Sequence, residues 1–542
     1  MDGSRESGRL RPTRVPTLLC TRGTLWRVDP TARLPATPTA TLPAAARAMN
    51  DASNAVIIVG GGMAGLAAAH ALHQAGIRAV VLEAADTIGG RVKQVRVGRG
   101  TLAEAGGEFF HGGASVSKKL ADAMHLPTEQ VFTAAHGDGG PDDEPAPDGS
   151  VALYTLADGQ TFSWDSQDPE FLRLNESLER MREMPPVTEP DTRSVADFLR
   201  DEGVSPRMID LAAASYANTL GVGGGLHELP LAAVVHLEQS WDDGEGDYRI
   251  RSCSTNGTAG ASLSDCCAFL ARGSTVHTGA AVETVEVTTR PEEGWPAVKV
   301  TCADGRRFCG LACIIATPVT VLQRGQLRFV PQLPADKVEA VRSIRMCEAW
   351  KLLLHFRAPP WTAHEAPVPR LHSLITAGTP GEVVPEIWFK DTPNGGWLAS
   401  GFATGTFATA LAALGEAAAA DLMLQQLAKT LPGAHLATLR THLDSVVRCD
   451  WTCTQYVGGG YSAPSFRERR HHRALYRRLE HYGRLGFCGE ATEEGCMTMS
   501  AAIASGRRAA AEVLGAARAS VAPSSSQGGP GDGAAARMRS RL

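Results

Sequence analysis

Short apolar runs, glycine-rich turns and alanine-rich helical patterns follow one another along this chain. The apolar run at residues 55–59 predicts a buried strand, and the small residues after it lead into a predicted helix over residues 66–75. A second apolar run at residues 79–82 predicts another strand, which ends in Glu83. This order of strand, helix and strand is typical of a parallel sheet covered by helices.

The glycines between the first strand and its helix have the G-x-G-x-x-G spacing of a dinucleotide-binding turn. Gly60 allows the tight turn, Gly62 lets the backbone approach a pyrophosphate, and Gly65 lets the helix pack against the strand. Glu83 lies about 20 residues further on, where a carboxylate accepts hydrogen bonds from ribose hydroxyls and repels a 2′-phosphate. A glycine-rich turn or a strand ending in a solvated acid is common by itself, but the combination predicts a bound dinucleotide other than NADP.

Further elements are predicted by the same patterns. Helical patches and polar loops replace strand patterns between residues 115 and 251, which indicates an inserted lobe. The predicted strands lie at residues 275–277, 281–287, 297–301, 313–316 and 485–488. The predicted helices lie at residues 170–184, 194–200, 411–431 and 498–514.

Composition and charge exclude several classes of protein. A chain of 542 residues exceeds what one hydrophobic core usually supports, so we expect two or more lobes. The net charge of −5 and the pI near 6.4 give no electrostatic footprint for nucleic acid. The 12 cysteines include no C-x-x-C pair, so we expect no metal site and interpret them as reduced thiols of a cytoplasmic protein. No apolar stretch approaches the roughly 20 residues that a membrane span needs, which indicates a soluble protein.

Both ends of the chain and two acidic stretches have the composition of solvated segments. Residues 1–54 are rich in Arg, Pro, Thr and Ala, which predicts a disordered extension or, alternatively, a transit peptide for an organelle. Residues 515–542 are predicted to be a disordered tail. The acidic stretches at residues 138–148 and 238–248 predict solvated loops, and residues 242–247 are also a candidate entrance for a cationic substrate.

Five separated motifs occur in the order that is typical of flavin-containing amine oxidases. After the glycine-rich turn come Glu83, then Gly89-Gly90-Arg91, Gly106 to Gly112, Ala316-Thr317-Pro318, and Gly489-Glu490-Ala491-Thr492. From about residue 55 to residue 514 the chain resembles this family, which includes monoamine, polyamine and L-amino acid oxidases and the histone demethylases that share their fold.

The resemblance implies an α/β fold with FAD as the cofactor. A Rossmann-like FAD-binding domain is expected from residues 55–114, 252–329 and 448–514, and a mixed α+β substrate domain from residues 115–251 and 330–447. The position of the cysteine that bonds the flavin in monoamine oxidases is Gly460 here, which predicts non-covalent FAD. The residues implied to bind FAD are Gly60, Gly62, Gly65, Glu83, Gly90, Arg91, Gly107, Glu108, Val282, Gly489 and Glu490.

Three catalytic residues are also implied by the resemblance. Lys351 lies between apolar residues on a predicted strand, and it matches the lysine that holds a water at flavin N5; the alternative is an edge lysine that extends to solvent. Tyr461 matches one wall of an aromatic cage, whereas the region of the opposite wall, near Met497, contains no aromatic residue. His111 matches a histidine close to the substrate in polyamine oxidases, or else bonds a loop carbonyl.

The implied reaction transfers a hydride from the carbon next to an amine nitrogen to FAD, and gives an imine and, from O2, hydrogen peroxide. A polyamine, a monoamine and an L-amino acid remain open as substrates, and the oligomeric state is not predicted. The alternatives are a desaturase or protoporphyrinogen oxidase-like enzyme, against which Lys351 and Tyr461 argue, and a catalytically quiet FAD-binding module.

Overall fold

In the computed structural model of the chain, the described residues are 55–98, 101–131, 151–186, 192–240, 244, 246–251, 261–288, 298–359, 371–393, 395–494 and 497–519. The strands, β1 to β23 in chain order, are Val56–Val59, Ala79–Leu82, Gln94–Val97, Thr101–Glu104, Phe109–His111, Thr128–Val131, Val151–Thr155, Thr161–Ser163, Asp247–Ile250, Thr275–His277, Val282–Val287, Val298–Cys302, Arg307–Gly310, Ala312–Ile315, Arg328–Val330, Arg345–Met346, Ala349–Phe356, Leu371–Thr376, Glu386–Asp391, Trp397–Thr404, Leu443–Asp450, Ser462–Ala463 and Leu485–Phe487. The helices, α1 to α15, are Met63–Gln74, Val116–Ala123, Pro169–Glu183, Val195–Asp201, Pro206–Ala214, Tyr216–Thr219, Leu231–Gln239, Leu263–Leu270, Val319–Gln323, Ala335–Ser343, Gly405–Leu414, Glu416–Thr430, Leu436–His442, Arg470–Arg477 and Met499–Ala519.

A five-stranded parallel sheet, in the order β10-β2-β1-β14-β23, forms the first layer of the fold. Alternate residues of β1 point to opposite faces: Val56 and Ile58 pack in the hydrophobic cluster of α1 and α15, and Ile57 and Val59 pack in the cluster of β11 and β12. Because both faces are covered, the strands are continuous apolar runs. The predicted α/β class is confirmed.

A seven-stranded mixed sheet, in the order β21-β17-β20-β19-β18-β7-β8, forms the second large layer. All its pairs are antiparallel except β18 with β7. Every residue of β17 is buried, including Lys351. The core of this layer combines β17 to β20 with helices α3 to α7, α11 and α12.

Two predicted boundaries were wrong, and both errors involve glycine. The single helix predicted over residues 411–431 is two helices, α11 and α12, because Gly415 between them adopts φ +79° and ends the first. The tail predicted to be disordered from residue 515 is helical as far as Ala519, since one glycine among alanines does not end α15.

The hydrophobic core around the parallel sheet continues past residue 115, where the inserted lobe was predicted to begin. Leu120 and Ala121 of α2 lie in the same cluster as β1 and α1. Residues 1–54 and 520–542, the acidic stretch at residues 138–148, and Asp242, Asp243 and Glu245 of the second acidic stretch lie outside the described residues. The full division into two domains stays a prediction.

Within the described ranges, no single helix is both long and apolar enough to cross a membrane. Helices α11 and α12, which are bent by 116° at their junction, reach the required length and apolar composition only when they are taken together.

Candidate active site

A cavity of about 1120 Å³ opens where the parallel sheet meets the seven-stranded sheet. The parallel strands β1, β2, β14 and β23 end at one edge, and residues within two positions of their ends, Gly60, Glu83, Ala316 and Gly489, line the cavity. This is where open parallel sheets bind ligands. All the residues predicted to be functional line this cavity except Gly65 and Val282.

Glu83 lines the cavity and is held by two backbone hydrogen bonds. Its Oε2 accepts from the N–H of Gly61 at 2.6 Å, and its Oε1 accepts from the N–H of Ala85 at 2.8 Å. Burial raises the pKa of Glu83, and these hydrogen bonds offset part of the rise. Each oxygen keeps a lone pair for a further donor such as a ribose hydroxyl.

The geometry of the glycine-rich turn requires glycine at two positions. Gly60 has φ +110°, and a Cβ there would lie 2.8 Å from the carbonyl oxygen of Ala316. A Cβ at Gly65 would lie 2.0 Å from the carbonyl oxygen of Gly60, so Gly65 fixes how closely α1 packs on β1 without lining the cavity. Val282 lies in β11, in a separate four-stranded sheet.

The N-terminus of α1 faces the cavity without a side chain in front of it. Gly62 is the N-cap residue and provides no side-chain cap, and the nearest atom to a Cβ there would be the carbonyl oxygen of Gly89, 4.0 Å away. The first-turn N–H groups and the positive end of the helix dipole therefore remain accessible to an anion.

Arg91 and Glu490 bind each other across the cavity wall. Arg91 Nη1 donates to Glu490 Oε1 at 2.7 Å and to the carbonyl oxygen of Gly460 at 2.9 Å. Glu490 Oε2 accepts from the backbone N–H and the hydroxyl of Ser462. Burial alone would raise the pKa of Glu490, but Arg91 and the Ser462 hydroxyl hold it below its ordinary value. Both residues were predicted to bind the cofactor; their contacts show that they also join the N-terminal and C-terminal parts of the wall.

Lys351 carries a second buried charge, and it too has a partner of opposite charge. Its Nζ lies 2.5 Å from Glu108 Oε2 and 2.8 Å from the carbonyl oxygen of Glu104, and it lies 5.1 Å from the ring centre of Trp388. The alternative of an edge lysine extending to solvent is excluded, because the side chain is 2% exposed. Glu108, predicted to bind the cofactor, contacts Lys351 directly.

His111 and Asp247 are opposite residues of β5 and β9. His111 Nδ1 lies 2.8 Å from Asp247 Oδ1, and Asp247 is 1% exposed. A carboxylate on the neighbouring strand is therefore one partner of His111. Tyr461 lines the cavity, and its hydroxyl donates to the carbonyl oxygen of Thr219 at 2.7 Å.

Glu386, Trp388 and Phe402 line the cavity and escaped prediction from the sequence. Glu386 of β19 accepts a 2.6 Å hydrogen bond from Trp388 Nε1, and burial raises its pKa to about 7. The rings of Trp388 and Phe402 stack with their centres 5.0 Å apart. The cavity therefore has an aromatic surface on β19 and β20, although the sequence contains no aromatic residue near Met497. The signal was an acid and a Trp two residues apart on a buried strand, which places both on one face.

The family model described as flavin containing amine oxidoreductase matches residues 63–514 of this chain. The chain belongs to this family. The human peroxisomal N(1)-acetyl-spermine/spermidine oxidase is 30% identical over 338 residues, which cover 56% of this chain and 62% of that protein. The human lysine-specific histone demethylase 2 is 25% identical over 311 residues, which cover 56% of this chain and 35% of that protein. The chain thus spans less than two thirds of these curated relatives.

Solved structures show the same fold as this flavin-containing amine oxidoreductase. A putrescine oxidase bound to putrescine has a TM-score of 0.68 at 19% identity, covering 85% of this chain and 99% of that one. Cyclohexylamine oxidase from Brevibacterium oxydans has a TM-score of 0.67 at 19% identity, covering 86% of this chain and 99% of that one.

The cavity of this flavin-containing amine oxidoreductase fits FAD, the cofactor of the family. Glu83 is placed for the ribose, and the uncapped N-terminus of α1 is placed for the pyrophosphate. Gly489 leaves open space, since nothing lies within 4 Å of a Cβ there. Among the described residues, no group of three or more His, Cys, Asp or Glu side chains could hold a metal ion.

Proposed function

We propose that this chain is an FAD-dependent amine oxidase that acts on diamines or polyamines. The carbon next to one amine nitrogen gives a hydride to FAD, the resulting imine is hydrolysed, and O2 takes up the two electrons to form hydrogen peroxide. The observation that carries the proposal is the row of side chains Lys351, Phe402 and Glu386, which lie opposite one another on the adjacent strands β17, β20 and β19.

The charges of the wall favour a cationic substrate over an amino acid. Asp247, Glu386 and Glu238 are carboxylic side chains that line the cavity, and acidic concave surfaces attract cations. A substrate carboxylate would need a cation, and three of the four Lys and Arg side chains that line the cavity, Lys351, Arg91 and Arg182, are paired with Glu108, Glu490 and Glu238. The stacked rings of Trp388 and Phe402 add surfaces that bind the methylene chain and the ammonium groups of an amine.

The row also supports a substrate with two nitrogens. Neighbouring strands lie about 4.8 Å apart, so the backbones at Lys351 and Glu386 are separated by about 10 Å. By the family resemblance of Lys351, the flavin ring is expected at the Lys351 end of this row. A second ammonium, several methylenes from the reacting carbon, then lies near Glu386. The carboxyl of Glu386, with its pKa raised to about 7 by burial, ionises readily when that cation binds.

Anaerobic mixing of the FAD-bound protein with a set of amines tests the proposal. We expect putrescine, spermidine or spermine to bleach the oxidised flavin, and admission of O2 to restore the colour with release of hydrogen peroxide. Faster bleaching by L-amino acids would contradict the proposed substrate class. No bleaching with any amine would contradict the enzyme activity and favour a quiet FAD-binding module.

Replacing Glu386 with Gln tests the second subsite. Loss of a buried hydrogen bond to a charged group costs about 1.5–3 kcal/mol, which corresponds to a decrease of about 10- to 160-fold in kcat/KM for putrescine. Butylamine is the matched control, because it has the same chain length and no second nitrogen. An equal decrease for both substrates would show that Glu386 does not recognise the second ammonium.

A further inference from the structure

The ammonium group of Lys351 has three N–H donors, and three protein oxygens accept them. These are the carbonyl oxygen of Glu104 at 2.8 Å, that of Gly106 at 3.3 Å and Glu108 Oε2 at 2.5 Å. An ammonium has no further donor. A ligand in the cavity therefore interacts with the positive charge of Lys351 and with the negative charge of Glu108 together.

The pair is nearly dry and ionised. The Lys351 side chain is 2% exposed and that of Glu108 is 5% exposed, so solvent screens their charges little. Burial alone would raise the pKa of Glu108, but Lys351 and then Lys390 lower it to a value below the ordinary range. Arg249 acts in the same direction. The carboxylate is therefore charged at neutral pH and cancels the charge of Lys351.

The position of the pair within the cavity determines what it acts on. Glu83 and the N-terminus of α1 take the adenosine and phosphate end, whereas Lys351 and Glu108 line the same cavity beside Trp388. This is the part left for the flavin ring. A reduced flavin carries more negative charge than the oxidised ring, so a net positive charge beside it favours reduction and a net negative charge opposes it.

We propose that Glu108 is a positioning residue that neutralises Lys351 beside the flavin and thereby sets the reduction potential of FAD. The proposal rests on the proposed function for the location of the flavin ring. It extends that function because it assigns to Glu108 a control over the cofactor that acts through Lys351.

Exchanges at position 108 separate charge from shape. Glu108→Gln keeps a hydrogen-bond acceptor for Lys351 and removes the negative charge, whereas Glu108→Asp keeps the charge. Glu104→Gln is the matched control: Glu104 contacts Lys351 through its backbone oxygen, and its Oε1 accepts from the N–H of Leu263 instead. Burial raises the pKa of Glu104 to about 7, so at pH 6 its carboxyl is largely neutral and the control exchange changes little charge.

The measurement is the midpoint potential of bound FAD, obtained at pH 6 by equilibration with a reference dye and without any amine. For Glu108→Gln we expect the equilibrium constant for two-electron reduction to increase at least about tenfold, which is about 30 mV toward positive potential. The double variant Glu108→Gln/Lys351→Met again has no net charge in the pair and is expected within twofold of the original protein. The Glu108→Asp and Glu104→Gln variants are expected to stay in the same range.

A Glu108→Gln protein that retains FAD with an unchanged potential would overturn the proposal, and so would a positive shift that the double variant fails to reverse. If Glu108→Gln does not retain FAD, the Lys351→Met variant decides at pH 8, where the pH itself and the charge of Arg249 favour the ionised Glu108. A decrease of at least about tenfold in the same constant supports the proposal, and an unchanged value overturns it. Since no amine is used, failure of the proposed function would be seen separately, as a flavin that no amine reduces.

Discussion

Replacing Arg91 with Met is expected to destabilise the protein by leaving a buried carboxylate without its cation. The side chain of Glu490 is 6% exposed, and its Oε1 lies 2.7 Å from Arg91 Nη1. Removing one partner of a buried ion pair costs about 3–5 kcal/mol. Arg91 is itself 26% exposed, and Ser462 still donates two hydrogen bonds to Glu490. We therefore expect a loss of about 2–3 kcal/mol in the free energy of unfolding at pH 7.

Urea denaturation at two FAD concentrations measures this loss, because the part that depends on FAD reports cofactor affinity separately. Arg207→Met is the control, since Arg207 forms its ion pairs with Glu170 and Asp158 at the exposed surface, where such pairs stabilise little. A loss at position 91 no larger than that at position 207 would refute the reasoning.

The pH dependence gives an independent check of the same ion pair. Burial alone would raise the pKa of Glu490, but its folded-state pKa lies below the ordinary 4.5. The carboxylate therefore contributes stability above pH 4.5. This contribution is lost as the pH falls through the folded-state pKa. The difference between the original protein and Arg91→Met must therefore shrink in acid, and a difference that grows below pH 4.5 would contradict the assignment.

Three further predictions concern the binding of FAD and of the substrate. Gly65→Ala is expected to weaken FAD retention, because its Cβ would lie 2.0 Å from the carbonyl oxygen of Gly60. The control Gly515→Ala has open space around its Cβ and is expected to be neutral or to stabilise the protein by up to about 1 kcal/mol. Gel filtration followed by flavin absorbance compares the FAD content of the two variants. Acid precipitation is expected to release all the flavin into the supernatant, since Gly460 offers no thiol, and colour retained in the pellet would contradict non-covalent binding. The KM for putrescine is expected to fall as the pH rises from 6 to 8, because the ionised fraction of Glu386 increases through its pKa of about 7, and the Glu386→Gln variant should lack this change.

The cofactor end of the cavity was predictable because its determinants are local in sequence. The predicted strands at residues 55–59 and 79–82 are observed as β1 and β2, and Gly60 and Glu83 follow them directly. Turn geometry and strand periodicity operate over a few residues, so one sequence contains the whole signal. The positions of these two residues at one edge of the sheet then follow from parallel pairing.

The ion pairs on the wall were not predictable in the same way. Arg91 and Glu490 are 399 residues apart, and Lys351 and Glu108 are 243 residues apart. Nothing in the local sequence of Arg91 or Lys351 specifies which carboxylate neutralises it, because the pairing brings together segments that are far apart in the chain. Each of these residues was identified by its family resemblance as a contact of the cofactor, and the partner could be recognised only in the folded chain.

The substrate end required the strand register as well as the strands. Alternation shows from the sequence that Glu386 and Trp388 share one face of a strand, but it does not show which face meets the cavity. That choice is fixed by the pairing of β19 with β20, in which Glu386 lies opposite Phe402, and by the pairing of β20 with β17, in which Phe402 lies opposite Lys351. A shift of either pairing by one residue would turn Glu386 away from Lys351. Recognition of a second ammonium therefore depends on a register that spans three strands, and the lysine and the acid acquire their separation only when the sheet has formed.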